Sequence, residues 1–231
     1  MAQKNDRLRI WDLPVRLFHW CLVLLLCVSY FSGKAGGDWM KLHFWSGYSI
    51  LTLLLFRIAW GFVGSTTARF SDFIKGPRAS AGYLKNIVLG QSTFEVGHNP
   101  VGGLMVIALL LAVLAQAAVG LFSADTDTGI VSGPLANMLP DKWVDRLTHF
   151  HHFWVNVLIV LIALHVLAAI VYLVWKRQNL IGAMFTGYKR RADVVPAGSR
   201  EPALRFASSR LALSLLIAAA AVVYFIVRAG G

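Results

Sequence analysis

Apolar residues in this chain gather into five long runs, with polar and charged positions concentrated in the segments between them. A helix needs about 20 apolar residues to cross a hydrocarbon core of roughly 30 Å. The runs fall at approximately Pro14–Phe31, Leu42–Val63, Gly102–Phe122, Phe150–Trp175 and Leu211–Val227, the first and last being the shortest. The pattern therefore predicts five membrane-crossing helices. Composition agrees: 57% of the 231 residues are hydrophobic and only 14% are charged, a balance that belongs to membrane proteins. The only low-complexity tract is the Ala218–Ala221 run in the last span.

The first run also has the layout of a secretory signal, with Lys4, Arg7 and Arg9 ahead of it and small residues at 32–36. Trp11, His19 and Trp20 at its start, and the want of a convincing cleavage site, favour a retained span. Cys21 and Cys27 lie six apart in that run, about 240° around a helix, so they cannot pair there and read as small buried hydrophobes. No Cys-x-x-Cys-His occurs, which excludes covalent c-type haem attachment in this chain.

Charge fixes an expected orientation. The net charge of +11 is spread by loop rather than gathered in a patch, so it speaks for membrane topology and against nucleic acid. Sixteen Lys/Arg fall before span one, between spans two and three, and between spans four and five; five fall on the other side, and Arg57 lies within span two. The N-terminus is expected in the cytoplasm and the C-terminus in the periplasm of a bacterial inner membrane. Trp39, Trp45, Trp60, Trp143 and Trp175 stand near span ends, as an interfacial aromatic belt requires. The segment 64–99 mixes aromatic and basic residues and reads as lying on the inner surface. The outer loop 123–148 carries Asp125, Asp127, Asp141 and Asp145 against two cations; it reads as a solvated loop, with docking of a basic partner as the alternative.

Four of the seven histidines, His19, His43, His151 and His165, sit in or at the mouths of apolar spans, where an ionisable side chain is costly and marks function by default. His151 and His165 are fourteen apart on one predicted helix, a rise of about 21 Å with a residual rotation of about 40°. His43 opens span two at the level of His151, while His19 lies roughly 18 Å from the outer end of span one, near the level of His165. Two imidazoles at each of two depths suit bis-histidine ligation of two stacked haems. A single zinc or copper site is excluded by the 21 Å separation. A proton relay stays open on spacing alone, although such relays use membrane Asp or Glu and these spans have essentially none.

The segment Ile10-Trp11-Asp12-Leu13-Pro14-Val15-Arg16-Leu17-Phe18-His19-Trp20 resembles the opening of bacterial cytochrome b561-like proteins, a group that includes the b-type subunits of nickel hydrogenases and formate dehydrogenases. In order there follow Leu42-His43-Phe44-Trp45-Ser46-Gly47-Tyr48, Ala68-Arg69-Phe70-Ser71-Asp72-Phe73, Gly76-Pro77-Arg78, Gly97-His98-Asn99-Pro100, His151 with Asn156, Leu164-His165, and Met184-Phe185-Thr186-Gly187-Tyr188-Lys189-Arg190. The resemblance implies an all-α integral membrane fold: residues 1–191 form a four-helix transmembrane bundle around two non-covalent haems b, and residues 192–231 add a basic linker and a fifth span. By its pattern His19 and His165 hold the inner haem, and His43 and His151 the outer one. Arg16 and Arg57 are candidates for haem propionates, with snorkelling cations as the alternative. His98 reads as an interfacial hydrogen-bonding residue, with service to a quinone or a propionate as the lesser alternative.

Bis-histidine iron has no open axial position, which suits electron transfer. The expected function is relay of electrons between the quinone pool and an outer-face partner, either a cytochrome c or a hydrogenase or dehydrogenase subunit. The alternative is a self-sufficient oxidoreductase such as a superoxide:quinone oxidoreductase or a ferric reductase. Lipid surrounds the chain, and an oligomer is compatible with the sequence. In the cluster His149, Phe150, His151, His152, only His151 shares a helix face with His165, lying about 40° from it, against about 140° for His152 and 160° for His149.

Overall fold

The computed structural model describes residues 6–91, 94–125 and 131–230; Lys4 and Asp127 lie outside the described residues. In chain order the elements are β1 (Arg7–Arg9), α1 (Leu13–Ala35), α2 (Met40–Val63), α3 (Phe70–Phe73), α4 (Pro77–Val88), α5 (Pro100–Gly120), α6 (Asp141–Val174), α7 (Leu180–Thr186), β2 (Tyr188–Arg190), α8 (Arg191–Val194) and α9 (Ser209–Arg228). Helices α1, α2, α5, α6 and α9 are each long and apolar enough to cross a membrane, matching the five runs. Their starts follow local chemistry. Asp12 accepts the Val15 N–H at 2.8 Å ahead of α1, and Asn99 accepts the Gly102 N–H at 2.7 Å with Pro100 as the first residue of α5.

The architecture is that of an all-α membrane protein, as expected; two expectations are corrected, and one feature is added. The addition is a short strand pair: β1 and β2 pair antiparallel, Arg7 opposite Arg190, Leu8 opposite Lys189 and Arg9 opposite Tyr188. Three-residue strands are too short to leave a period in the sequence. Helix α6 begins at Asp141, so residues 141–148, expected as loop, extend the fourth span by more than two turns. Four charged residues, Asp141, Lys142, Asp145 and Arg146, break the apolar run there and hid the helix. Cys21 and Cys27 are exposed rather than buried, and Cys27 lines a cavity together with His43 and His151.

The described residues divide into two compact units. One comprises those within Met1–Leu17, Ala59–Ala108 and Ala163–Ala212; the other those within Phe18–Ile58, Leu109–Ile162 and Leu213–Gly231. In the first, Ile10 and Trp60 are fully buried, and Asp12, only 2% exposed, accepts the Trp60 indole N–H at 3.0 Å. The backbone N–H groups of Ile10 and Trp11 donate to the Gly187 carbonyl at 2.8 and 3.1 Å. Gly187 closes α7 with φ 88°, and a Cβ there would meet the Trp11 carbonyl at 2.9 Å, so the turn demands glycine on two counts. His98 lies between Trp11 and Phe73, each with ring centres 4.7 Å away. Tyr83, Tyr172 and Asn99 share a hydroxyl network, with Asn99 donating to Tyr172 at 2.9 Å.

The second unit packs Leu51, Leu121, Leu135 and Val223 into a core drawn from α2, the segment after α5, and α9. Leu135 N–H donates to the Leu121 carbonyl, and Thr148 on α6 both accepts from and donates to the Ala124 backbone. These bonds tie the connecting segment back to its own helices and satisfy backbone groups that burial would otherwise penalise.

Candidate functional site

The second unit encloses a cavity of about 930 Å³, lined from α1, α2, α5 and α6 by residues including Gly33, His43, Phe44, Gly120 and His151. Apolar side chains and a few convergent polar groups at this volume are the hallmarks of a cofactor pocket.

His43 and His151 meet in it. Their ring centres are 6.1 Å apart and their planes stand at 86°. Each ring is oriented by a backbone carbonyl. His43 Nδ1 lies 2.8 Å from the Ser29 carbonyl oxygen, and His151 Nδ1 lies 3.1 Å from that of Gln116. A carbonyl only accepts, so Nδ1 carries the proton in both rings and Nε2 keeps its lone pair. This is the outer-shell bond that orients a metal-ligating imidazole. The side-chain amide of Gln116 lies 3.2 Å from His151 Nε2, where an N–H donor meets that lone pair.

Small residues make room for the rings. A Cβ on Gly33 would stand 2.8 Å from His43 Nδ1, and one on Gly120 would stand 3.0 Å from His151 Cε1. Two imidazole nitrogens on one metal, each about 2 Å from it, require ring centres roughly 6 Å apart. The observed separation meets that requirement, so the two rings stand at a distance that one metal could bridge, and a metal on His151 Nε2 would take the place of the Gln116 amide N–H. His149 and His152 also line the cavity although both are exposed, so its width admits side chains that the helix-face argument sets apart from His151.

The family model for prokaryotic cytochrome b561 matches residues 10–187. The chain belongs to that family. This cytochrome is accordingly a multi-pass membrane protein that binds haem b and serves electron transport. Curated relatives share its length but little of its sequence. A "Probable Ni/Fe-hydrogenase B-type cytochrome subunit" of Rhizobium leguminosarum bv. viciae is 25% identical over 83% of this chain and 94% of its own. One of Azotobacter vinelandii is 25% identical over 84% and 93%. A "Probable Ni/Fe-hydrogenase 1 B-type cytochrome subunit" of Escherichia coli (strain K12) is 29% identical over 44% and 54%. No solved structure matches the cytochrome.

The other expected site residues of the cytochrome are placed as follows. His19 lies on α1, half-buried, in edge contact with Trp20 at 4.8 Å. His165 lies half-buried on α6, the helix that also carries His151. Arg57 on α2 is 2% exposed, a depth at which a guanidinium requires partners. Arg16 donates to the Phe185 carbonyl, and its Nε is buried with no hydrogen-bond partner among the described residues. Ser29, Gly33, Gln116 and Gly120 did not emerge from the sequence. Gln116, a lone amide in an apolar run, was the one signal that could have been followed.

Proposed function

We propose that this cytochrome relays electrons between a membrane quinone and a redox partner at the outer face, using two haems b in a four-helix bundle. His43 and His151 would hold one haem b, which would supply reversible one-electron chemistry. Ser29 and Gln116 fix the ring planes and tautomers through their carbonyls, so the two imidazoles are held ready to ligate with little freedom to reorient. His19 and His165 hold the second haem, in keeping with their place in the b561 pattern. Arg16 and Arg57 are the candidates for haem propionates, which would accept from the buried Arg16 Nε.

A Ni/Fe hydrogenase is the proposed partner, since curated relatives from three genera carry that description. Its docking face is the periplasmic side of an inner membrane, by the cation asymmetry of the loops. The observation that carries the reading is the His43–His151 separation at the head of a cavity of haem-compatible size. A pyridine haemochrome assay on purified protein tests it, with two acid-acetone-extractable haems per chain as the expected result. One haem, or haem retained covalently, overturns the two-haem reading.

A further inference from the structure

The first compact unit holds a second cavity of about 420 Å³ with a different character. Four cations line it, Arg7, Arg177, Lys189 and Arg190, against one carboxylate, Asp193. Asp193 is already engaged: Arg190 grips it through Nε at 3.2 Å and Nη2 at 3.1 Å. Arg7 and Arg177 are left as lining cations without a carboxylate among the lining residues to share.

The fold works to keep those charges together. Arg7 and Arg190 are direct partners across the β1–β2 pair, an arrangement in which like charges repel unless an anion lies beside them. Arg177 adopts φ 54°, the one non-glycine residue in the left-handed region among the described residues. Its carbonyl is captured by Arg190 Nη2 at 3.2 Å, which holds the turn that brings the Arg177 side chain to the cavity. Lys189 lies opposite Leu8, and its ammonium donates to the carbonyls of Glu95, Val96 and Gly97, with the Asp193 and Glu95 carboxylates acting on its charge.

Position supplies the class of ligand. Arg177 follows the end of span α6 at Val174 by three residues, and Trp175 between them is 84% exposed, as an aromatic anchor at the headgroup level is. Ile181, Phe185 and Tyr188 are likewise exposed apolar surface on the same stretch. Basic pockets beside transmembrane helices at this depth recognise phosphate-bearing headgroups. We propose that this cavity binds the phosphate of an anionic phospholipid in the leaflet nearest the N-terminus, with Arg7 and Arg177 as its charge partners.

The test uses the full-length protein purified in neutral detergent, stripped of lipid, and exposed to phosphatidylcholine vesicles with or without phosphatidylglycerol. Lipid retained per chain is counted by native mass spectrometry, and the apparent affinity is read from titration. Arg177→Gly keeps the backbone turn while deleting the guanidinium; Arg7→Gln removes the opposed charge; Arg200→Gln deletes an exposed cation outside the cavity. Helical circular dichroism and monodisperse elution establish that each variant is folded. The expected result is retention of phosphatidylglycerol over phosphatidylcholine, weakened roughly fivefold by either cavity variant and unchanged by Arg200→Gln. Equal retention of both lipids, equal loss with Arg200→Gln, or undiminished binding by folded cavity variants overturns the proposal. Displacement of phosphatidylglycerol by inorganic phosphate overturns the lipid assignment in favour of a soluble phosphate ligand.

Discussion

Gly120 on α5 faces the ring of His151 so closely that an added Cβ would stand 3.0 Å from Cε1. Gly33 stands in the same relation to His43, at 2.8 Å from Nδ1. A branched side chain at either place must push the imidazole off its carbonyl partner or narrow the cavity. Gly120→Val and Gly33→Val are each expected to remove one haem per chain and leave the other, read as a halved haemochrome yield. Full haem content in both variants shows that the ring positions are not those used for ligation.

Among the three clustered histidines, His151 alone has its Nδ1 fixed by the Gln116 carbonyl. His151→Ala is expected to lose the outer haem and retain the inner one, and His152→Ala to retain both, by the reduced-minus-oxidised spectrum of purified protein. Haem loss from His152→Ala with none from His151→Ala reverses the assignment.

Asp12 serves two buried donors at once, the Val15 N–H and the Trp60 indole. Asp12→Ala deletes a helix cap worth about 1 kcal/mol and strands a buried indole N–H at a further cost of about 1–3 kcal/mol. The thermal midpoint of helix loss in detergent should fall accordingly, whereas Asp6→Ala, at an exposed position, should leave it within error.

Burial lowers the Lys189 pKa from 10.5 to about 8, against the opposing pull of Asp193 and Glu95. Between about 8 and 10.5 the unfolded chain binds a proton that the folded chain has released, so this residue makes stability rise with pH across that window. Below about 8 both states hold the proton and the slope vanishes. Lys189→Met should flatten the difference in unfolding midpoint between pH 7.5 and pH 10 that the parent shows, a comparison made at fixed ionic strength.

Topology follows from the sixteen-to-five division of cations. A reporter active only in the periplasm is expected to work when fused after Gly231 and to fail when fused at Ala192. The opposite pattern places the loops in reverse, and the same result at both points denies that α9 crosses.

The five spans were legible in the sequence because lipid imposes one simple demand, a run of apolar residues long enough to cross, and α1, α2, α5, α6 and α9 each coincide with such a run. The four candidate histidines were legible for the converse reason, that an imidazole in an apolar run is costly and conspicuous. Helix periodicity alone chose His151 from its neighbours, and the structure brings that residue to His43. What the sequence left undetermined lies where distant segments meet. The β1–β2 pair joins residues about 180 positions apart through strands too short to show a period. The first two turns of α6 carry Asp141, Lys142, Asp145 and Arg146 among their apolar residues, which broke the apolar run. Ser29, Gln116, Gly33 and Gly120 act through a carbonyl or a missing Cβ, properties that no residue type advertises until a neighbouring helix is packed against it. The cations of the second cavity were visible as loop charge, but only tertiary pairing set Arg7 opposite Arg190 and turned Arg177 toward them.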